Sequence, residues 1–268
     1  MNTQYREITS RNIGLFTESE QEMIFNSRIG IAGLGGVGGL AAERLLRLGV
    51  GNLKINDPGD LEASNLNRQF GSTMKNIGKN KAEVIYEQIK DINPQADIVY
   101  TRTGIKSQYD VESLIDGCDV IMDVMDFGLF RESILLQREA RKKGIHYLFS
   151  TAIGFGAITV VFAPDGITLE EYNNLPVDVD VDEPQNLIVP LERIVPVIPK
   201  YIQDKSIIDD IIKGKTSVIP STCIGAGLSA IQAASEAINI IIGRDMPKAP
   251  NYTYFDLVDR ELVVGSVI

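Results

Sequence analysis

The 268-residue sequence contains no tryptophan, one histidine and two cysteines. A lone imidazole, His146, cannot assemble a histidine-based metal site or a proton relay, and its place before YLFS predicts the start of a strand. Two thiols, Cys118 and Cys223, exclude a disulfide framework and an all-cysteine zinc centre. So sparse a use fits a reducing cytoplasm. The opening MNTQYREITSRNIG has no apolar stretch and predicts no secretory signal. Positive charge is scarce as well: 26 Lys and Arg against 36 Asp and Glu give a formal net charge of −10. An acidic surface repels nucleic acid and anionic membrane, so neither is expected as a partner. The basic cluster Arg138, Arg141, Lys142 and Lys143 falls at the end of a predicted helix and is read as solvated charge complementing the helix dipole. The uncharged window 216–235 holds Pro220, glycines and polar residues, and is read as a buried loop and helix rather than a membrane span.

What is present is enough apolar residue, 44%, for a sizeable core. Predicted strands at 28–32, 52–56, 97–102, 119–123, 146–150 and 156–162 alternate with predicted helices after Gly38, near 79–90, and at 109–115 and 129–143. Such alternation argues for an α/β fold of Rossmann-like, doubly wound type, with a mostly parallel sheet. Residues 17–27 read as a further helix with Thr and Ser as caps. Residues 164–220 break the pattern with the acids Glu170, Glu171, Asp178, Asp180, Asp182 and Glu183, prolines at 176, 184, 190, 196 and 199 and no cation before Arg193, and predict a long, partly ordered excursion that is either solvated or a gate. A helix at 223–242 and a strand pair at 252–265 close the chain. The expected organisation is one domain over 1–268: a nucleotide-binding core (1–163), the crossover (164–220) and the closing helix and strands (221–268).

Four features converge on a nucleotide. Gly33-Leu34-Gly35-Gly36-Val37-Gly38 follows a strand and opens a helix, so Gly33, Gly35, Gly36 and Gly38 let the backbone approach phosphates. Alone, this turn fits NAD as well as ATP. Asp57, 24 residues after Gly33 at the end of the next strand, is placed to accept from ribose hydroxyls. Ser64-Asn65-Leu66-Asn67-Arg68-Gln69 and Gly78-Lys79-Asn80-Lys81 then supply a second polar cluster. Arg68 and Lys81 suit a triphosphate, and Asn65 suits a phosphate or ribose. Last comes Asp123-Val124-Met125-Asp126 after a strand, where Asp126 is placed to hold Mg2+ and Asp123 to cap the next helix.

GLGGVG, Asp57, SNLNRQ, GKNK and DVMD, in that order, resemble the pattern of the ThiF/MoeB/HesA superfamily, relatives of the ubiquitin-activating enzymes. The resemblance runs from about Arg11 to Phe162 and resumes at 220–243. FAPDG at 162–166 is similar to a poorly characterised branch associated with nitroreductase-type proteins. The resemblance implies adenylation of a carboxylate with ATP and Mg2+ and release of pyrophosphate, the carboxylate often being the Gly-Gly tail of a small ubiquitin-like carrier. It implies that the four glycines, Asp57, Asn65, Arg68, Gln69 and Lys81 contact the nucleotide and that Asp126 binds the metal. Arg11 matches an arginine that reaches into a partner subunit's site, which implies a homodimer. Three departures stand out. There are no CxxC pairs; Gly59 and Phe127 stand where a second acid and an Asn are usual; and 164–220 holds no cysteine, so no thioester is expected there. Both cysteines are read as buried.

The expected chemistry is in-line attack of an ionised carboxylate on the α-phosphorus, with catalysis by positioning and electrostatics from Arg11, Arg68, Lys81 and Asp126. Three alternatives stay open: an NAD-dependent oxidoreductase, a tRNA-modifying dehydratase of the same superfamily, and a non-catalytic partner subunit. The intact charged set disfavours the third.

Overall fold

A computed structural model describes residues 2–202, 206, 208, 210 and 220–268. Two N-terminal helices, α1 (Thr3–Ile8) and α2 (Glu18–Asn26), precede the first strand. Thr17 caps α2 in a reciprocal box with Glu20, which satisfies two of the amides that every helix start leaves free. The alternating part then runs β1 (Arg28–Ala32), α3 (Gly38–Leu48), β2 (Asn52–Asn56), α4 (Lys81–Ile92), β3 (Asp97–Thr101), α5 (Gln108–Ile115), β4 (Val120–Asp123), α6 (Phe130–Lys142) and β5 (His146–Ile153). Strand β6 (Gly156–Phe162), short helices α7 (Leu169–Tyr172) and α8 (Leu191–Ile194), the long α9 (Cys223–Ile241), β7 (Asn251–Asp256) and β8 (Glu261–Ser266) complete the described elements.

The eight strands form one sheet in the order β3-β2-β1-β4-β5-β6-β7-β8. The first five are parallel and the last three antiparallel. The chain therefore leaves β1 toward one edge, then returns to β4 on its other side, and the crevice at the carboxyl ends of β1 and β4 is a topological switch point. Register aligns these ends, because Ala32 lies opposite both Asn56 and Asp123. The residues that follow each strand, Gly33, Asp57 and Val124, thus meet at one edge.

Each sheet face is covered. Ile29, Ile31, Leu53 and Met122 pack with α3 and α9 on one side. Ile121, Val160 and Phe162 pack with α5, α6 and α7 on the other. Helix α9 is long and apolar enough to cross a membrane by length and composition alone. Instead it lays a buried face of small residues, including Ala226, Ala230 and Ala233, on the sheet, with Ser229 Oγ 2.7 Å from Ser150 Oγ in β5. The predicted excursion begins as a strap containing α7 and α8; most of 203–219, including 216–219 of the uncharged window, lies outside the described residues.

The strap corrects the reading of the two arginines of the basic cluster, while Lys142 and Lys143 are exposed as expected. Arg138 donates to the buried Glu170 carboxylate at 2.8 Å and to the Val179 carbonyl at 2.8 Å, and Arg141 donates to the Gly166 carbonyl at 2.6 Å. These cations do not end in solvent: they fasten the acidic strap to α6, aided by Arg131 and Asp182 at 2.8 Å.

Candidate functional site

The turn between β1 and α3 has no room for a side chain at Gly33 or Gly38. Gly33 has φ +91°, and a Cβ there would stand 2.7 Å from the Val124 carbonyl oxygen; at Gly38 it would stand 1.9 Å from the Gly33 oxygen. The backbone consequently passes straight from strand to helix. The amides of Gly35, Gly36 and Val37 make no hydrogen bond among the described residues. They crowd at the start of α3, where unpaired N–H groups and the helix dipole favour an anion.

Asp57 holds this turn in shape. One carboxylate oxygen accepts the Leu34 amide and the other the Gly59 amide, both at 2.7 Å. Each oxygen retains a second lone pair for a ligand hydroxyl. The Arg68 stem lies across the turn, its Cγ 3.4 Å from the place a Cβ on Gly36 would take. Among the described residues its guanidinium donates to the Ser64 carbonyl and Asn67 Oδ1, at 3.2 and 2.9 Å. Lys81 opens α4, with Nζ 3.3 Å from the Cβ position of Gly59. The missing side chain at 59 is thus the space this ammonium uses. Neither Arg68 nor Lys81 has an ion pair among the described residues, although Asp57 Oδ1 lies 3.1 Å from the same Gly59 Cβ position as the Lys81 ammonium.

Asn65 shapes the loop between Asp57 and Arg68: it is buried, and its Oδ1 accepts the Glu62 amide at 3.0 Å. Gln69 sits with Nε2 3.7 Å from the Cβ position of Gly35, and its Oε1 is buried without a hydrogen bond. Asp126 is exposed, three residues beyond β4, on the rim of a pocket that runs under the sheet edge. No group of three or more His, Cys, Asp or Glu among the described residues could hold a metal. A Mg2+ ion at Asp126 would need phosphate oxygens as further ligands, the usual habit of that ion.

Asp123 does not cap a helix. Leu129 occupies the position before α6 without a side-chain bond. Asp123 is fully buried, accepts the Tyr147 hydroxyl and takes the Met125 amide at 3.1 Å. Burial holds its carboxyl above the ordinary carboxylate range, and burial with the adjacent Asp123 pushes the Tyr147 hydroxyl well up. Tyr147 was not legible as a site residue, since YLFS reads as an ordinary core strand. The cysteines separate as well. Cys118 is buried, with burial as the main cause of a thiol pKa of about 12 and the flanking acids lesser ones. Cys223, expected to be buried, is exposed at the start of α9, because the buried face of that helix begins at Gly225 and Ala226.

Arg11 is not brought to this site. It is exposed in the loop before α2. Its neighbour Asn12 donates to the Leu48 carbonyl at the far end of α3. Eleven helical residues at 1.5 Å each put that end about 16 Å from the glycine turn.

A family model described as the ThiF family matches residues 9–264. The tRNA threonylcarbamoyladenosine dehydratase of Bacillus subtilis (strain 168) is 31% identical over 146 residues, 53% of this chain and 55% of that protein. The sulfur carrier protein ThiS adenylyltransferase of Escherichia coli (strain K12) is 31% identical over 147 residues, 54% of this chain and 56% of that protein. The chain thus spans about half the length of the curated relatives it matches. Among solved structures, PaaA superposes with a TM-score of 0.73 at 17% identity, over 100% of this chain and 75% of that one. E. coli MccB with ATP superposes at 0.71 and 17% identity, over 99% and 72%. At such identities the likeness concerns the fold.

Proposed function

The chain belongs to the ThiF family, and from that premise we propose that it activates a carboxylate with ATP, forming an acyl-adenylate and releasing pyrophosphate. The observation that carries this reading is the pair of cations, Arg68 and Lys81, neither in an ion pair among the described residues, set against three amides at the start of α3 that make no hydrogen bond there. A dinucleotide has two phosphates and is served by the turn alone; a triphosphate carries about four charges and calls for the added cations.

In this reading Asp57 accepts from the ribose while keeping the turn in place. Arg68 and Lys81 neutralise charge that builds on the phosphoryl oxygens, and the turn amides orient the chain of phosphates. Asp126, with the phosphates, would hold Mg2+, which would supply further charge neutralisation. The attacking carboxylate is ionised at neutral pH, so no protein base is required; positioning and preorganised charge supply the rate.

The test is ATP–pyrophosphate exchange with a panel of carboxylates, beside calorimetric titration with ATP and with NAD. Exchange should fall roughly 10²–10³-fold in each of Arg68→Ala, Lys81→Ala and Asp126→Ala, the usual loss for one electrostatic contact to a transition state. Tight NAD binding without ATP binding, or undiminished exchange in all three variants, refutes the reading. The names of several relatives favour a second one, in which the carboxylate is carried by tRNA. A net charge of −10 opposes it. AMP formation dependent on added tRNA would select it.

A further inference from the structure

Asp126 stands in a loop with little of its own to hold it. The segment between β4 and α6 contains a turn at 127–128 and neither helix nor strand. Gly128 has φ +100°, with open space where a Cβ would be, and the Asp126 side chain makes no hydrogen bond or ion pair among the described residues. In the adenylation reading its carboxylate has to stand at one place, within reach of phosphates on the glycine turn. A ligating group is only as well placed as the groups that hold it, and those supports commonly decide metal affinity.

The support comes from β4 and β5. Asp123, 1% exposed, ends β4 and bridges two groups. One carboxylate oxygen accepts the Met125 amide at 3.1 Å and the other accepts the Tyr147 hydroxyl, with Ser133 of α6 beside both side chains. Tyr147 is equally buried and lies opposite Ile121, two residues before Asp123, so both side chains rise from one sheet face. Its ring packs edge to face on Phe162, with centroids 5.6 Å apart.

The bond to Met125 carries this support outward. The Val124 amide donates to the Ala32 carbonyl at 3.0 Å, and the Asp123 side chain then bends the next peptide back toward itself. The bend sets the Val124 carbonyl and the Met125 amide 2.7 and 2.9 Å from the Cβ position of Gly33, and Val124 Cγ2 3.0 Å from that of Gly38. The glycine turn and the loop are thus pressed together at Met125, and Asp126 is the next residue.

Stability does not account for the pair. Burial holds the Asp123 carboxyl above the ordinary range, so ionising it costs the fold. Buried polar pairs can often be replaced by apolar residues of similar size without loss. What the pair supplies is one fixed arrangement of the loop.

We propose that Asp123 and Tyr147 are positioning residues: through the Met125 amide they hold Asp126 in register with the glycine turn, so that its carboxylate and the nucleotide phosphates meet Mg2+ together. The inference rests on the adenylation reading for its ligand and is independent of which carboxylate is the substrate.

Calorimetric titration of the full chain with a non-hydrolysable ATP analogue, with and without Mg2+, gives the factor by which Mg2+ tightens binding. Tyr147→Phe keeps the ring and loses the bond. It should cut that factor about tenfold, the usual loss when a support of a metal ligand is removed, and leave affinity without Mg2+ within about twofold of the parent. Asp123→Ala should lose the factor too, whereas Asp123→Asn, which still accepts the Met125 amide, should keep most of it. Phe162→Leu loosens the packing of Tyr147 without touching the bond; it should lower the melting temperature and preserve the factor. The near-isosteric Tyr147→Phe and Asp123→Asn decide the matter should Asp123→Ala not fold. A parental factor in Tyr147→Phe, or a loss in Asp123→Asn as large as in Tyr147→Phe, overturns the inference and leaves ATP binding, and the adenylation reading, standing. A parent that binds the analogue equally with and without Mg2+ overturns it as well. A parent that does not bind the analogue at all refutes the adenylation reading, and this inference falls with it.

Discussion

At the scale of single residues, the site was legible where chemistry demands a residue type and illegible where partners come from afar. Gly33 and Gly38 could be singled out because a turn from strand into phosphate-facing helix forbids a Cβ, and both Cβ positions are indeed blocked by backbone oxygens. Asp57, Arg68 and Lys81 could be placed because strand ends and loop spacing put them at one edge. Asp123 was misread as a cap because its partner Tyr147 lies 24 residues on, in a neighbouring parallel strand. Its altered titration makes a prediction. A carboxyl whose folded pKa is raised contributes stability that is complete below the unfolded carboxylate pKa and is lost as pH rises through the folded value. Asp123→Asn is neutral at every pH and can still accept the Met125 amide. The variant should therefore gain stability over the parent as pH rises through Asp123's folded pKa, and the gain should vanish under acid conditions below the ordinary carboxylate range. Urea denaturation across that pH range checks it; a stability difference that does not change with pH refutes it.

At the scale of elements, periodicity and caps located the strands and helices of the alternating part, since each buries one stripe or both faces in a simple repeat. Helix α4 starts at Lys81, two residues after the expected start, because Asn80 supplies the cap. The strap resisted such reading. Its acids and prolines suggested a solvated segment, yet Leu169 and Tyr172 are buried and Glu170 has a carboxylate with almost no exposure. The cation that makes this burial tolerable is on α6, 32 residues earlier. An acidic stretch with no cation of its own, together with a basic cluster elsewhere, was the available signal. Arg138→Ala leaves the Glu170 carboxylate buried and unpaired. Breaking a buried pair costs about 3–5 kcal/mol, and because Arg138 keeps some access to water the lower end is expected. Urea denaturation should show that loss, with faster proteolysis within 164–202. The double variant Arg138→Met, Glu170→Leu should recover most of it. Full stability in the single variant would mean that the strap is not held by this pair.

At the scale of the whole molecule, the architecture followed from the alternation of strands and helices, and the crevice followed from the switch in strand order between β1 and β4. What a single chain could not display is the place of Arg11. The structure leaves it exposed near the far end of α3, about 16 Å from the glycine turn of its own chain, and its flanking residues are apolar and uncovered: Leu15 is 79% exposed and Ile13 42%. Exposed apolar side chains around a cation without a role are better suited to a subunit interface than to solvent. We therefore propose that the active assembly is a twofold dimer in which each Arg11 enters the other subunit's crevice. A two-fold interface makes both sites composite, so damage on different subunits can be separated. Arg11→Ala and Asp126→Ala should each be nearly inactive in pyrophosphate exchange. After subunit exchange at equal concentration, half of the dimers are mixed and each has one intact site, so roughly a quarter of the parental activity should return. Light scattering should give the mass of two chains for the parent and for both variants. A monomer, or no recovery after exchange has been verified with differently tagged chains, would remove Arg11 from the site and leave the crevice to act alone.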